Sequence, residues 1–146
     1  MYKRQVSYDQ SELKYANEIY QTFIDPDNLI GSQETIRPFK TSHGYGSTDV
    51  GDVSWNVPTA GLRTATWVPG TASHSWQAVA SGGTSIGVKG AELAAKTLAK
   101  SIIEILSNPS IIEVAQEELD RRVGEDFVYQ PLLGDRKPPL DYRKVN

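Results

Sequence analysis

Cysteine is absent from the 146 residues, and other features that mark particular protein classes are missing too. Without thiols the chain forms neither disulfides nor thiolate metal sites. No apolar run approaches the roughly 20 residues that cross a bilayer, and no apolar stretch follows the charged opening residues as in a secretory signal. Neither sign of charge dominates, because 15 basic residues oppose 18 acidic ones, for a net charge of -3. We therefore expect a cytoplasmic domain with no nucleic-acid or membrane partner.

Apolar residues recur at steps of three and four over 7–23, which predicts an amphipathic helix there. Ser7 followed by Gln10 matches a capping box at its start, although Ser11 is an alternative first residue. The Asp25-Pro26 pair is expected to end the helix, because the residue before a proline is displaced from helical backbone angles.

The most regular pattern in the chain covers 89–106 and predicts a longer amphipathic helix. Its apolar face is rich in alanine, so we expect it to pack closely on a sheet. Asn108-Pro109 then provides an N-cap and a proline in the first helical position. These residues predict a second helix that ends near Gly124.

Two shorter elements are expected between these helices. Residues 49–55 can form one helical turn capped by Thr48 or Ser47. β-Branched residues alternate over 59–68, which predicts a strand ended by Pro69-Gly70. The stretch 28–46 has no clear period and predicts a loop, with a short strand or turn near 35–39.

Two carboxylates and two histidines are the candidate functional groups. Asp49 and Asp52 lie in the predicted helical turn, where the helix dipole favours a carboxylate, so capping alone is an alternative explanation. His74 follows the predicted strand in a loop of small residues, a position from which a rigid scaffold presents functional groups. A structural, hydrogen-bonded histidine is the alternative there. His43 is interpreted as an exposed loop residue, with a substrate contact as the alternative.

The stretch 83–87 matches the nucleophile-elbow pattern around Ser85, and a helix is predicted to follow it. A serine hydrolase of that type needs a histidine after the serine, whereas both His43 and His74 precede it. A flexible entry into the helix explains the glycines more simply, so the pattern does not indicate a catalytic serine.

Two stretches carry a resemblance to a known family. Residues 46–55 read Gly-Ser-Thr-Asp-Val-Gly-Asp-Val-Ser-Trp, and 69–77 read Pro-Gly-Thr-Ala-Ser-His-Ser-Trp-Gln. Together they resemble the C-terminal part of the aminoacylase and glutamate-carboxypeptidase metallopeptidases, in particular the aminobenzoyl-glutamate utilisation protein B branch of amidohydrolases. The resemblance implies an α/β fold: part of a three-layer catalytic domain with a mixed sheet flanked by helices, incomplete in this chain. Residues 1–128 would form that segment and 129–146 a proline-rich wrapping tail.

The resemblance also implies a chemistry, the zinc-dependent hydrolysis of an amide bond in an aminoacyl- or aminobenzoyl-glutamate-like substrate. In such enzymes two metal ions lower the pKa of a bound water and polarise the carbonyl, while a glutamate moves the proton. His74 occupies the place of the family's late histidine, which implies that it is a metal ligand. Thr48, Asp49, Asp52 and His43 are then expected to border the substrate cleft.

Other parts of the family's site have no counterpart in the sequence. Neither histidine begins a His-x-Asp motif, and the bridging aspartate and the general-base glutamate are absent. Because a zinc site needs at least three protein ligands, His74 alone cannot hold the ion. We therefore expect a fragment or subunit of an amidohydrolase, inactive alone, that associates with an N-terminal half or with itself. The alternatives are a non-catalytic binding or assembly module and, least favoured, a self-contained metal enzyme built from His43, Asp49, Asp52 and His74.

Overall fold

The computed structural model describes residues 6–41, 43–140 and 143, and within them the regular structure is helical. The helices in these ranges are α1 Gln10–Tyr20, a 3₁₀-helix Ser32–Glu34, α2 Val50–Ser54, α3 Trp76–Gly82, α4 Ser85–Ser107 and α5 Ser110–Val123. The same ranges contain no β-strand.

The predicted α/β architecture with a mixed sheet is therefore wrong for the described residues. Residues 59–68 have the alternating pattern of a strand, but in that part of the chain neither they nor 35–39 form a backbone ladder with another segment. β-Propensity measures how side chains fit a sheet surface, so the pattern produces a strand only beside a hydrogen-bonding neighbour. Here the segment packs on α4 instead. The close approach is shown at Gly90 of α4, where an added Cβ atom would lie 2.8 Å from the carbonyl carbon of Ala65.

The chain divides into two compact units, each discontinuous in sequence. The first unit comprises the described residues of Met1–Gly44 and Gly61–Asn108, and the second those of Tyr45–Ala60 and Pro109–Asn146. The first unit thus contains α1, the 3₁₀-helix, α3 and α4, and the second contains α2 and α5. The division at residue 128 that the family resemblance implies stays a prediction.

Helix α1 begins later than predicted because Asp9, rather than Ser7, caps it. Asp9 Oδ1 accepts hydrogen bonds from the backbone N–H of Ser11 at 2.8 Å and of Glu12 at 2.9 Å. Glu12 Oε2 in turn accepts the backbone N–H of Asp9 at 2.8 Å, which completes a capping box. The box predicted for Ser7 and Gln10 is therefore wrong. The carboxylate of Asp9 serves two of the N–H groups that have no partner within the helix.

The core of the first unit joins α1, the beginning of α4 and the end of residues 61–68, called the extended segment below. Its buried apolar side chains are Val6, Tyr8, Ala16, Ile19, Val68 and Ile86. Burying one Val or Ile side chain contributes about 1.5–3 kcal/mol, so this small cluster is the main source of apolar stabilisation for α1.

Helix α4 confirms the helix predicted over 89–106, although it begins at Ser85. It follows α3 closely, and a Cβ atom at Gly87 would lie 2.8 Å from the carbonyl carbon of Gly82, so only glycine permits this approach. The buried residues of α4 are Ile86, Gly87 and Gly90. The alanine-rich face beyond Gly90 was expected to pack on a sheet, and the described residues supply none.

The second unit is built around α2 and α5, which confirm the helices predicted over 49–55 and after Pro109. The Trp55 and Phe127 rings stack with their centroids 5.1 Å apart and an angle of 23° between their planes. Gly124 follows α5 with a φ of 86°, which glycine adopts without steric cost. None of the α5 residues is buried.

Candidate functional site

His74 lies in the loop between the extended segment and α3, and its side chain is exposed. Its φ of 59° places it in the left-handed region, which costs a residue with a Cβ atom about 1–2 kcal/mol. Hydrogen bonds on both sides hold this backbone: Thr71 Oγ1 donates to the Val68 carbonyl at 2.6 Å, and Ser75 Oγ donates to the Ala72 carbonyl at 2.7 Å. Ser75 Oγ also caps α3 by accepting the Ala78 N–H at 3.2 Å. The loop therefore holds an imidazole out towards solvent.

The two candidate carboxylates and Thr48 lie at the beginning of α2 in the second unit, and all three are exposed. Thr48 Oγ1 accepts the Val50 N–H at 3.2 Å, whereas the Asp49 side chain makes no capping hydrogen bond. Asp52 Oδ1 accepts a hydrogen bond from the Tyr129 hydroxyl at 2.8 Å, and this bond raises the pKa of Tyr129 above its ordinary value. Asp52 thus has a structural partner, and the Asp49 carboxylate is turned to solvent.

His43 lies in the loop that precedes the second unit, and its side chain is exposed. The candidates therefore fall into two sets. Asp52 lies in α2 of the second unit, with Asp49 at its N-cap and Thr48 just before it, whereas His43 and His74 belong to the first unit.

The described residues do not form a zinc site by themselves. Within 6–41, 43–140 and 143, no three or more histidines, aspartates and glutamates are grouped so that they could hold a metal ion. A protein zinc site takes three or four such ligands. His74 is an exposed nitrogen donor without the neighbouring ligands that a complete site requires.

A polar cluster surrounds Glu12, which is only 5% exposed. The sequence pattern did not reveal this cluster. Lys89 Nζ donates to Glu12 Oε2 at 2.5 Å, and Ser85 Oγ donates to Glu12 Oε1 at 2.6 Å. With the Asp9 N–H, both carboxylate oxygens are satisfied. Lys89 and Ser85 are 77 and 73 residues from Glu12, so no local spacing could have revealed the cluster.

The protonation states of this cluster follow from its geometry. Burial raises the pKa of Glu12. Hydrogen bonds from Lys89, Ser85 and the Asp9 N–H lower it by more than burial raises it, so the pKa of Glu12 lies below its ordinary value. Burial and the negative charge of Glu12 raise the pKa of Tyr8 to about 12. Ser85 and Lys89 both donate hydrogen bonds to the Glu12 carboxylate, so neither is set up for nucleophilic catalysis. The cluster joins α1 to α4.

Two grooves open on the first unit. One has a volume of about 860 Å³ and is lined by α4 from Lys89 to Ile105, with Leu62 and Arg63 beside it. The other has a volume of about 880 Å³ and is lined by residues of 28–40 and 63–71. His43 and His74 line neither groove, although the second ends at Thr71, in the loop that carries His74.

Comparison with known proteins finds a partial match. The chain is similar to one subunit of the p-aminobenzoyl-glutamate hydrolase of Escherichia coli (strain K12), with 43% identity over 72 residues. The match covers 49% of this chain and 15% of that protein, so the chain spans a small part of its relative's length. The resemblance to this protein is thereby confirmed for half of the chain. No protein-family model matches, and no solved structure matches significantly.

None of the described helices combines the length and the apolar character that crossing a lipid bilayer requires.

Proposed function

We propose that this chain is one part of a hydrolase that cleaves the amide bond of an aminobenzoyl-glutamate-like substrate. The observation that carries the proposal is the 43% identity over 72 residues with the E. coli p-aminobenzoyl-glutamate hydrolase. The stretches 46–55 and 69–77, which carry the family resemblance, contain Asp49, Asp52 and His74.

We propose further that the chain is inactive alone. The described residues lack a group of three potential metal ligands, and the cluster around Glu12 is fully used in joining two helices. Zinc, which the family resemblance implies, would therefore need ligands from another polypeptide segment beside His74. In that assembly His74 would supply one neutral imidazole nitrogen. Thr48, Asp49, Asp52 and His43 are proposed to border the substrate.

The proposed partner is the larger part of the hydrolase, for which the outer face of α4 provides a surface. Beyond Gly90 this helix carries exposed apolar side chains, among them Leu98, Ile102 and Leu106, the last of which is 74% exposed. An apolar helix face of this kind is normally covered by another element. Most of the relative's length lies outside the match, and that remainder is the occupant we propose. Self-association through the same face is the competing outcome.

The test mixes the purified chain with the matched E. coli hydrolase polypeptide from which the matching segment has been removed. Release of p-aminobenzoate from p-aminobenzoyl-glutamate is followed by chromatography, and complex formation by size-exclusion chromatography. We expect hydrolysis in the mixture and none from either component. His74→Ala should abolish hydrolysis but leave the complex intact. Ser73→Ala changes the neighbouring exposed side chain and serves as the matched control.

Two results would refute this proposal. Hydrolysis by the chain alone would show that it contains a complete site. A stable complex without hydrolysis and without bound zinc would favour the alternative, a non-catalytic binding or assembly module.

A further inference from the structure

The groove between residues 28–40 and 63–71, called the cationic groove below, has an unusual lining. It has a volume of about 880 Å³ and belongs entirely to the first unit. Its charged residues are Arg37, Lys40 and Arg63, and no aspartate or glutamate of the described ranges lines it. The chain as a whole has more acidic than basic residues, 18 against 15. The lining therefore reverses the charge balance of the rest of the protein.

The acidic residues that lie nearest the cationic groove in sequence do not line it. Asp27 and Glu34 flank lining residues but are not part of the lining. Within 6–41, 43–140 and 143, neither Lys40 nor Arg63 forms an ion pair. Three cationic residues in a lining that contains no carboxylate generate a positive potential that attracts anions.

Arg37 is held in place by the groove itself. Its Nη2 donates to Asn28 Oδ1 at 2.6 Å, which ties the guanidinium to the opposite end of the same loop. A guanidinium has five N–H donors in a planar fork, so donors remain for a ligand after this bond. Such a fork matches the two oxygens of a carboxylate. An arginine held in advance loses less side-chain entropy when it binds.

The lining of the cationic groove also includes an aromatic residue. Trp67 is part of its lining and is 36% exposed. A ligand with a negatively charged end and a flat aromatic group could therefore use both features. The groove along α4 differs, because Glu92 and Glu104 line it together with the lysines and oppose the entry of an anion.

We propose that the cationic groove binds the carboxylates of an aromatic acyl-glutamate, with Arg37 and Arg63 as the principal contacts and Lys40 as an additional positive charge. The identity of the ligand rests on the function proposed above, whereas the preference for anions rests on the lining alone. The groove adjoins the loop of His74, so a ligand anchored there by its glutamate end would extend towards that loop.

The test is calorimetric titration of the full chain with p-aminobenzoyl-glutamate, with its dimethyl ester and with inorganic phosphate. We expect p-aminobenzoyl-glutamate to bind at least tenfold more tightly than the uncharged ester. Arg37→Gln and Arg63→Gln should each weaken binding at least tenfold, and added salt should weaken it in the unsubstituted chain. Lys14→Gln, which removes an exposed cation of the first unit that does not line the cationic groove, should leave binding unchanged. Circular dichroism shows whether each variant keeps its helices, and Arg37→Lys retains the charge while removing the fork.

Each other outcome has a defined meaning. Binding that is insensitive to Arg37→Gln and Arg63→Gln, or equal for acid and ester, would overturn the assignment and leave the proposed function untouched. Arginine-dependent binding of phosphate without binding of p-aminobenzoyl-glutamate would overturn the ligand identity. If the groove binds as expected but the mixture with the shortened E. coli hydrolase shows no hydrolysis, the proposed function fails and the binding site stands.

Discussion

Replacing Gly90 by alanine tests the packing of the extended segment on α4. The added Cβ atom would lie 2.8 Å from both the carbonyl carbon of Ala65 and Cγ2 of Thr66. Overpacking by one carbon atom costs about 1–3 kcal/mol. The higher helix propensity of alanine relative to glycine stabilises the folded state by about 1 kcal/mol. The difference is a net loss of about 0–2 kcal/mol in the free energy of unfolding. Because the obstacle includes backbone that cannot rotate away, we expect the upper half of that range.

Gly82→Ala is the matched control in the same unit. A Cβ atom at Gly82 has Trp67 Nε1 as its nearest neighbour, at 3.5 Å, which is an ordinary van der Waals contact. This variant should be neutral or slightly more stable, whereas Gly90→Ala should lower Tm by about 4–8 °C for each kcal/mol in a domain of ~100 residues. Thermal unfolding followed by circular dichroism measures both. If Gly90→Ala raises Tm as Gly82→Ala does, the segment does not lie on α4, and the account given for the absent sheet is wrong.

Three further predictions concern the cluster around Glu12. Lys89→Met should lower the free energy of unfolding, measured by urea denaturation, by about 1–3 kcal/mol, because it leaves the buried Glu12 carboxylate without its charged donor. The control Lys96→Met removes an exposed ion pair and should lower it by less than about 1 kcal/mol. Because folding lowers the pKa of Glu12, its contribution to stability should be complete above pH 4.5 and lost as the pH falls through the lower folded value; Glu12→Gln should remove this dependence. Because folding raises the pKa of Tyr8, the contribution of Tyr8 to stability should be complete below pH 10.0 and lost as the pH rises towards about 12. In a spectrophotometric titration, the Tyr8→Phe variant should lack the tyrosine transition that occurs at the highest pH.

Elements governed by local chemistry were predictable from the sequence. The period of 89–106 specifies α4, and Pro109 with Gly124 delimits α5, because proline and glycine act on their own backbone angles. The predicted start of α1 was wrong because Ser7, Asp9 and Ser11 are all residues that can cap a helix. Only the folded geometry shows that Asp9 is the cap. Helix α3 has seven residues, too few for a clear period.

The failures concern contacts between residues far apart in sequence. The β-branched pattern of 59–68 describes its own side chains, and it says nothing of whether a second strand lies beside it. Likewise Gly90 and Ala65 meet only in the folded chain. For the candidate site, the loop of His74 was located from its small residues, but the residues around Glu12 and the cations of the groove come from separated stretches. Those arrangements exist only in the folded chain.

The bond between Glu12 and Lys89 has a consequence for the order in which the protein is made. Lys89 is 77 residues downstream of Glu12, and ribosomes add about 5–20 residues each second. For about 4–15 s after Glu12 is incorporated, the cation that will neutralise it has not yet been synthesised. The carboxylate must stay hydrated during that interval, so α1 can settle into its final position only after Lys89 has been translated.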